Sequence, residues 1–417
     1  MDEAFHINKW RRNMKNVVFI TNGIYELGDG RSIASYGYCK EFSKYVNLKV
    51  FCPLPDSKNA QNEKKENLDI EFCREQRNTF FKKVCQLPEL MIAKKTTLIE
   101  PSKPNTYRRI YEYLKHNDVD FVIIDHLALA RTFFRLKRDF PKLKVVYNSH
   151  NAEGVNYYQL LTGKDYDLSK PELNRAEFRT LIDYIKCKYV FHIEKRVLNE
   201  ADYSIAISKN DREVLCKQYD VLETKILHTR PLAKFELVKT EDELKDFHHN
   251  LLIVGSMGWY PNVRGILWFI DNVFSELIKI SPEYTLYIVG RGPIQELKDA
   301  AALYPENIVL TGEVESTKPY FQMCDISIVP VFEGTGIKIK VLESMARGIP
   351  TICSSFAAKD YDTTGEIIVA ETAEEFLNGI RQLKGSAALR ENCYVKMKSF
   401  CNEYYNLTSD MKELFGV

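Results

Sequence analysis

Residues 325–353 read DISIVPVFEGTGIKIKVLESMARGIPTIC. A short apolar run, Asp325–Val331, leads through Gly334 and Gly336 into a segment with helical character. Gly348 and Pro350 then stop that helix and start a second apolar run. Continuous apolar runs on either side of a helix are typical of strands in a parallel sheet covered by helices. The stretch therefore predicts a strand–turn–helix–strand unit.

The same alternation of strand and helix recurs along the chain, on both sides of a polar stretch at Lys234–His249. A 3.6-residue apolar period predicts a helix over Val263–Ile280, and a long charged helix is expected from about Pro171 to Ala201. We therefore predict two doubly wound α/β domains, residues 1–235 and 245–400, with a final segment from about 401 to 417 crossing back to the first. The other predicted strands are Asn16–Thr21, Asp120–Asp125, Lys144–Asn148, Tyr203–Ser208, Asn250–Gly255 and Tyr284–Gly290.

The composition is that of an ordinary globular protein, with 417 residues, 45% hydrophobic and 28% charged. No apolar run reaches the roughly 20 residues that span a bilayer, and the first residues make a poor signal peptide. The ten cysteines are scattered, which favours reduced thiols and a cytoplasmic location.

The net charge of +1 hides an uneven distribution of charge. Residues 1–230 hold 40 Lys and Arg against 31 Asp and Glu, a net charge of +9, and the remaining residues carry −8. Either one half faces an anionic partner, such as a phosphate-bearing substrate or a membrane surface, or the charge is merely solvated.

The turn at Gly334–Lys340 has the composition of a phosphate site. Glycines let backbone amides approach a phosphate, and a helix start offers unpaired N–H groups. Lys338 and Lys340 are unfavourable in a first helical turn, because cations prefer the other end, and a bound diphosphate would offset that cost. Glu343, about a turn further, could accept hydrogen bonds from a ribose. A glycine turn with two lysines is by itself also compatible with a purely structural role.

The run G-x-G-x-K-x-K-x-L-E-x-M-A-x-G-x-P at Gly334–Pro350 resembles the donor-site signature of retaining glycosyltransferase family 4. Further segments match in the expected order along nearly the whole chain. They are Val254–Gly265, Ile288–Pro293, Leu310–Val314, Ser149–Glu153 and the run EKRVLNEADYSIAISKND at 194–211. The resemblance implies the GT-B fold, with two Rossmann-like domains facing each other across a cleft. It also implies transfer of a sugar, with retention, from a nucleotide-diphosphate sugar to a glycan, lipid-linked or protein acceptor. Bacterial surface-polysaccharide or glycoconjugate assembly is the setting that it suggests.

The resemblance also implies roles for individual residues of the second domain. Glu343 would bind the ribose, and the turn with Lys340 would hold the diphosphate and the transferred sugar. Arg264 would contact the diphosphate beside Gly255 and Ser256, and Arg291 and Val314 would flank the base, with a UDP-sugar favoured. The residues assigned to the turn are Gly334, Thr335, Gly336, Ile337 and Lys338.

In the first domain, His126 would lie near the reacting sugar. It is assigned to the reacting centre together with two residues of the second domain, Lys338 and Glu333. His150, Asn151 and Glu153 follow the neighbouring strand and are assigned to the acceptor side. Gly28, Gly30 and Arg31 form a loop after the first strand, which could reach a phosphate or be a generic turn. Histidines at strand ends are also often structural.

Two positions depart from the family pattern. Thr335 stands where many members carry a first glutamate, with Glu333 as the nearest acid, and Ser256 stands where many carry an arginine. Lysines and arginines would neutralise the leaving group, so the expected enzyme is metal-independent with no cofactor beyond its substrate. The basic first domain could contact the inner face of a membrane peripherally, through its segments 79–83 and 91–95. No nucleic-acid partner is expected.

Four other interpretations stay open at this point. A catalytically silent glycosyltransferase-like partner subunit would keep the fold and lose the transfer. A GT-B epimerase would need acids placed for proton abstraction, and a phosphorylase would use free phosphate. A dehydrogenase is least favoured, since no GxGxxG follows the first strand.

Overall fold

The computed structural model describes residues 14–24, 30–54, 68–74, 103–164, 166–334, 336–361 and 365–417. The chain forms two compact units. The first unit is Met1–Ala233 with Leu407–Val417, and the second is Lys234–Asn406. Within the described ranges, no helix combines the length and the apolar character needed to cross a bilayer.

The first unit contains a parallel sheet whose described strands lie in the order β3-β2-β1-β4-β5-β6-β7. Helices follow β1, β3, β4, β5 and β6 in the chain, as the alternating pattern predicts. The strands are β1 (Asn16–Ile20), β2 (Asn47–Leu54), β3 (Asp69–Arg74), β4 (Phe121–Asp125), β5 (Lys144–Ser149), β6 (Tyr203–Ala206) and β7 (Ile226–His228). The helices are α1 (Gly30–Phe42), α2 (Pro104–His116), α3 (Ala130–Asp139), α4 (Glu153–Thr162), α5 (Leu181–Glu200) and α6 (Lys209–Tyr219).

The central strands of this sheet are buried on both faces. Every residue of β4 is buried, and so are the last four of β1 and the last five of β5. Strand β1 pairs with β2 on one side and with β4 on the other, so the strand order reverses between β1 and β4. Ligands of doubly wound sheets bind beyond the carboxyl ends of strands at such a reversal, and this edge is where the polar residues of the first unit gather.

The second unit repeats the plan with the strand order β10-β9-β8-β11-β12-β13 and a reversal between β8 and β11. Its sheet confirms the prediction of a second doubly wound domain. The strands are β8 (Asn250–Val254), β9 (Thr285–Val289), β10 (Ile308–Gly312), β11 (Ile326–Val329), β12 (Thr351–Cys353) and β13 (Ile368–Val369). The helices are α7 (Tyr260–Phe269), α8 (Ser275–Ile280), α9 (Gln295–Ala302), α10 (Lys318–Met323), α11 (Ile339–Arg347), α12 (Ser355–Ala358), α13 (Ala373–Gly385) and α14 (Ala387–Tyr404).

Two predicted helices differ from the observed ones in detail. The segment predicted over Val263–Ile280 runs from Tyr260 to Ile280, with a π-helical turn at Ile270–Phe274 between α7 and α8. The long helix expected from Pro171 begins only at Leu181, because the Thr180 side chain caps its first turn. The two basic segments at 79–83 and 91–95, Gly28 and Thr335 lie outside the described residues.

The last helix, α15 (Ser409–Phe415), belongs to the first unit. The Phe415 ring lies 4.9 Å from the Phe42 ring and 6.4 Å from the Phe121 ring, between centroids. The Asp410 carboxylate accepts the backbone N–H of His228 at 2.7 Å. Residues 401–406 stay with the second unit, since α14 continues to Tyr404, so the chain passes back at Leu407.

Replacing Phe415 with alanine tests how strongly α15 is tied to the first unit. The side chain is 2% exposed, so Phe415→Ala should lower the free energy of unfolding of that unit by about 3 kcal/mol. Urea denaturation followed by circular dichroism measures the change. Val417→Ala is the matched control, because Val417 is 60% exposed and should shift the transition little. An equally small shift for Phe415→Ala would contradict the packing of α15.

Candidate functional site

The turn after β11 in the second unit adopts a conformation that requires glycine. Gly334 has a φ of +108° and Gly336 a φ of +69°, a region that residues with a side chain rarely occupy. The turn ends at Lys338, after which α11 begins, and no side chain caps the first turn of α11. The Ile339 and Val341 N–H groups donate to the Ile337 and Lys338 carbonyls, at 3.2 and 2.8 Å. The positive end of the helix dipole nevertheless favours an anion there.

Two lysine side chains lie at this helix start. The Lys338 amino group donates to the Gly336 carbonyl at 2.7 Å and lies 4.9 Å from the centre of the Phe356 ring. The Lys340 amino group donates to Oδ1 of Asn262 at 2.5 Å. Burial, helped by the neighbouring positive charge of Lys338, lowers the pKa of Lys340 to about 7. An anion bound here would favour the charged form of both lysines.

Asn262 connects the lysine to the loop that follows β8. Its Nδ2 donates to the Ser256 carbonyl at 2.9 Å, while its Oδ1 accepts from Lys340. A Cβ atom added to Gly255 would lie 2.9 Å from the Lys340 amino nitrogen, so the glycine gives the lysine room. Asn262 was not identified from the sequence; its side chain comes from α7, 78 residues away from Lys340.

Glu343 lies one turn into α11 with 8% of its surface exposed. Its Oε1 accepts from the Thr317 hydroxyl at 2.9 Å and from Nε of Arg347 at 3.3 Å. Burial raises the pKa of Glu343 above its ordinary value, and Arg347 and Thr317 oppose that rise. No hydrogen bond to Oε2 occurs among the described residues, so this oxygen can accept hydrogen bonds from a ligand. Thr317 and Arg347 were not identified from the sequence.

Arg264 and Glu333 pair with each other. Nη1 of Arg264 lies 3.1 and 3.0 Å from the two carboxylate oxygens of Glu333. The arginine side chain is 54% exposed and that of the glutamate 31% exposed, so solvent screens this pair. A diphosphate would have to compete with Glu333 for Arg264. The contact relates two residues that the sequence had assigned to different roles, the diphosphate and the reacting centre.

The contacts of the remaining donor-side candidates give less information about ligand binding. Arg291 is exposed on the loop after β9, where its carbonyl accepts the Met257 N–H at 2.9 Å. Val314 is half-buried against an apolar cluster that includes Leu252 and Val289. Ile337 packs against the main core of the second unit. The base-flanking role of Arg291 and Val314 stays a prediction.

In the first unit, Asp125 is the centre of a buried polar cluster at the carboxyl ends of β4 and β5. Its Oδ2 accepts from the Ser35 hydroxyl at 2.6 Å, and its Oδ1 accepts from the Asn148 amide at 2.7 Å. Nε2 of His150 lies 2.6 Å from Oδ1. Burial alone would raise the pKa of Asp125, but the His150 ring and the Ser35 and Thr21 hydroxyls outweigh it and hold that pKa at about 2.

The predicted His126 lies beside this cluster with both ring nitrogens engaged. It adopts a φ of +84°, which is unusual for a residue with a side chain. Its Nδ1 accepts the Ala128 N–H at 3.0 Å, and its Nε2 lies 2.8 Å from Oε1 of Glu153. Although burial would raise the pKa of Glu153, the contact with His126 holds it at about 2. The assignment of His126 to the reacting centre stays a prediction.

Glu194, from α5, fixes the start of α4. Its two oxygens accept the backbone N–H groups of Glu153 and Gly154, each at 2.8 Å, and the Tyr219 hydroxyl donates to it. Burial raises the pKa of Glu194 to about 8. Glu194 begins the run at 194–211 that resembles the family, yet its role was not identified from the sequence. Helix periodicity does not show which backbone N–H groups a side chain caps.

The other first-unit candidates lie around these clusters. The Asn151 amide donates to Glu153 Oε1 at 3.1 Å, and the Asn151 carbonyl accepts from the Ser149 hydroxyl at 2.6 Å. Gly30 and Arg31 are exposed at the start of α1. Among the residues that the structure describes, no group of three or more His, Cys, Asp or Glu side chains is placed to hold a metal ion.

Comparison with known proteins gives one family match and several relatives. Residues 248–385 match the family model described as "Glycosyl transferases group 1". An "Uncharacterized 44.6 kDa protein in cps region" of Klebsiella pneumoniae is 27% identical over 281 residues, which cover 64% of this chain and 65% of that protein. The alignment thus spans slightly less than two thirds of that relative. A "Chitobiosyldiphosphodolichol beta-mannosyltransferase" of Debaryomyces hansenii is 25% identical over 81% of this chain and 73% of its own length.

Solved structures share the fold over nearly the whole chain. Anabaena HepE, in complex with UDP and glucose, has a TM-score of 0.65 at 11% identity, covering 96% of this chain and 98% of that one. S. aureus TarM, in complex with Fondaparinux, α-GlcNAc-glycerol and UDP, has a TM-score of 0.66 at 10% identity, covering 97% and 99%. At such identities the likeness concerns the fold. The predicted fold, two Rossmann-like units of the GT-B type, is confirmed.

The raised pKa of Glu194 has a consequence for stability. The unfolded carboxyl ionises near its ordinary pKa of 4.5, whereas the folded one keeps its proton up to about 8. Stability from this group is therefore complete below about pH 4.5 and falls as pH rises towards 8, by up to about 1.4 kcal/mol per pH unit. Glu194→Gln should remove this decline, which urea unfolding at pH 5, 6, 7 and 8 measures.

Glu200→Gln is the control, because Glu200 lies on the same helix with its side chain 40% exposed in a pair with Arg196. This variant should keep the wild-type dependence on pH. A Glu194→Gln curve that parallels the wild type over the whole range would contradict a raised pKa at Glu194.

Proposed function

We propose that the protein is a glycosyltransferase that moves a sugar from a nucleotide-diphosphate sugar to a glycan, lipid-linked or protein acceptor. One observation carries the proposal. The start of α11, which no side chain caps, the two glycines of positive φ and the half-buried Lys340 lie together at the strand-order reversal of the second unit. That combination suits a diphosphate and has no evident structural purpose. The family match over the same unit supports it.

The diphosphate would bind at the positive end of the α11 dipole. Its oxygens would accept from the amino groups of Lys338 and Lys340. Breaking the bond between sugar and diphosphate develops negative charge on the leaving oxygen, and fixed cations and amides stabilise that charge without reorganising. We assign this task to the protein's own cations, with Arg264 released from Glu333, and propose that no metal is required.

The nucleoside would bind beside the same helix. The ribose hydroxyls would donate to Oε2 of Glu343, whose other oxygen is held by Thr317 and Arg347. Val314 and Arg291 would flank the base. We favour a UDP-sugar, and the printed descriptions of HepE and TarM, which record UDP, support that choice by analogy of fold.

We further propose that transfer retains the anomeric configuration, as the sequence resemblance implies. In a retaining transfer the departing diphosphate can take the proton of the acceptor hydroxyl. The protein then mainly positions the substrates and neutralises the charge of the leaving group. The engagement of both His126 nitrogens inside the protein fits such a limited role in proton transfer.

The acceptor and the setting are proposed from the relatives. The Klebsiella protein is described as lying in a cps region, and the yeast relative is named as a mannosyltransferase. These names favour polysaccharide or glycoconjugate assembly. With the basic charge of residues 1–230, they also favour a cytoplasmic enzyme that contacts the membrane peripherally to reach a lipid-linked acceptor.

Donor binding can be measured by thermal unfolding of the full chain with UDP-, GDP-, CMP- and dTDP-sugars. We expect one base class to raise the melting temperature, because a ligand that binds only the folded state stabilises it. Glu343→Gln keeps the shape of the side chain and should weaken that donor about tenfold to a hundredfold, through weakened ribose hydrogen bonds. Glu343→Ala should weaken it at least as much.

Glu374→Gln, on the exposed side of α13, is the matched control and should bind the donor like the wild type. The donor that raises the melting temperature is then tested for release of free nucleotide diphosphate. Such release distinguishes an active enzyme from a catalytically silent partner subunit. A wild type that no nucleotide sugar stabilises would contradict the donor site. Binding without any turnover, with or without candidate acceptors, would instead favour the silent subunit.

A further inference from the structure

The Asp125–His150 contact in the first unit determines which nitrogen of His150 carries a hydrogen. Asp125 is 1% exposed, and its carboxylate accepts from Ser35, Asn148 and Thr21 as well as facing Nε2 of His150. With its pKa held at about 2, Asp125 has no hydrogen to donate near neutral pH. The hydrogen in the 2.6 Å contact must therefore lie on Nε2 of His150.

The other nitrogen of the same ring is then left with a lone pair. When the ring is neutral and Nε2 carries its one hydrogen, Nδ1 of His150 is an acceptor. No hydrogen bond to this Nδ1 occurs within the described part of the chain. His126 differs, because its Nδ1 accepts from Ala128 and its Nε2 contacts Glu153. Of these two neighbouring histidines, whose ring centres lie 5.8 Å apart, only His150 keeps an acceptor atom for a ligand.

The position of His150 in the fold favours a ligand as its missing partner. The residue directly follows β5, next to β4, at the carboxyl edge of the sheet and close to the reversal of strand order. That edge is where doubly wound sheets bind ligands. The ring is nearly buried, with its side chain 4% exposed, so a ligand hydroxyl that reaches Nδ1 would meet a ring held in one orientation.

We propose that His150 binds a substrate hydroxyl through its unprotonated Nδ1, and that Asp125 is the positioning residue that fixes this tautomer. The inference rests on the proposed function, to which it adds an acceptor atom in the first unit and the kind of group that it recognises, a hydroxyl of the sugar or of the molecule that receives it. The contact is a hydrogen bond, O–H···Nδ1, from a hydroxyl other than the attacking one, so the attacking hydroxyl remains free to give its proton to the departing diphosphate. Ser35, Asn148 and Thr21 hold Asp125 in place and so act on the ring indirectly.

The tautomer can be observed directly by long-range ¹⁵N–¹H correlation NMR on the full chain labelled at histidine. The signals of His150 are those that vanish in His150→Gln. We expect Nε2 protonated and Nδ1 unprotonated in the wild type at pH 7.5. In Asp125→Asn, where the neutral amide can donate as well as accept, we expect a mixture of tautomers or the reverse one. A wild-type ring protonated on Nδ1 would overturn the proposal.

The effect on catalysis can be measured with the nucleotide sugar that stabilises the wild type, following release of nucleotide diphosphate with water as the hydroxyl acceptor. Loss of one oriented hydrogen bond should lower kcat about tenfold to a hundredfold in His150→Gln and in Asp125→Asn. The donor KM should stay within about twofold if the donor is held mainly by the second unit. A lower kcat with a nearly unchanged KM is not expected from general loss of structure. Unfolding curves monitor whether such a loss occurs.

The matched control is His116→Gln, at the exposed end of α2, where Nδ1 contacts the Glu112 carbonyl. It should turn over donor like the wild type. Unchanged kcat in His150→Gln, with folding intact, would overturn this inference and leave the proposed function standing. Absence of turnover in the wild type with every donor would instead overturn the proposed function and this inference with it.

Discussion

The position of the half-buried Lys340 amino group at the start of α11 is the constraint on which the proposed donor site depends. A cation at the positive end of a helix is unfavourable, and removing it from water adds a further cost, which is why its pKa falls to about 7. The single hydrogen bond to Asn262 only partly compensates. Gly255 provides the space, Asn262 links the lysine to the loop after β8, and Glu343 follows within the same helix. A local environment that is poor for a free cation becomes favourable when a diphosphate is bound.

In the first unit, by contrast, hydrogen-bond donors within the protein already compensate the buried charges. Its carboxylates at the strand ends are already supplied with donors, Asp125 by hydroxyls, an amide and a histidine, and Glu153 by His126 and Asn151. Such a network is rigid before any ligand arrives and can hold the His150 ring in one orientation. One unit is thus arranged to stabilise a negative charge, and the other to present fixed hydrogen-bonding groups.

Much of the fold follows from local patterns in the sequence. Continuous apolar runs identified the strands β1, β4, β5, β6, β8, β9, β11 and β12, but not β2, β3, β7, β10 or β13. The glycines at 334 and 336 marked a turn that needs positive φ. The donor-side candidates Lys338, Lys340 and Glu343 were found because they are close in sequence. Asn262 and Thr317 were missed because only tertiary packing brings them there. Arg347 lies four residues after Glu343 on the same helix, a spacing that could have identified it. Asp125 was read as the last residue of a strand and Glu194 as one charge among many on a helix, since hydrogen bonds across tens of residues leave no periodic signal.

Calorimetric titration of the full chain with matched series of nucleoside, nucleoside monophosphate and nucleoside diphosphate, in both uridine and guanosine forms, addresses the diphosphate site most directly. In one series we expect the second phosphate to tighten binding about tenfold or more, as charge-assisted hydrogen bonds of about 1.5–3 kcal/mol would. That gain should shrink in Lys340→Met and persist in Lys398→Met, a matched change at an exposed position of α14. Equal affinities for the mono- and diphosphate in both series would contradict a diphosphate site at the start of α11.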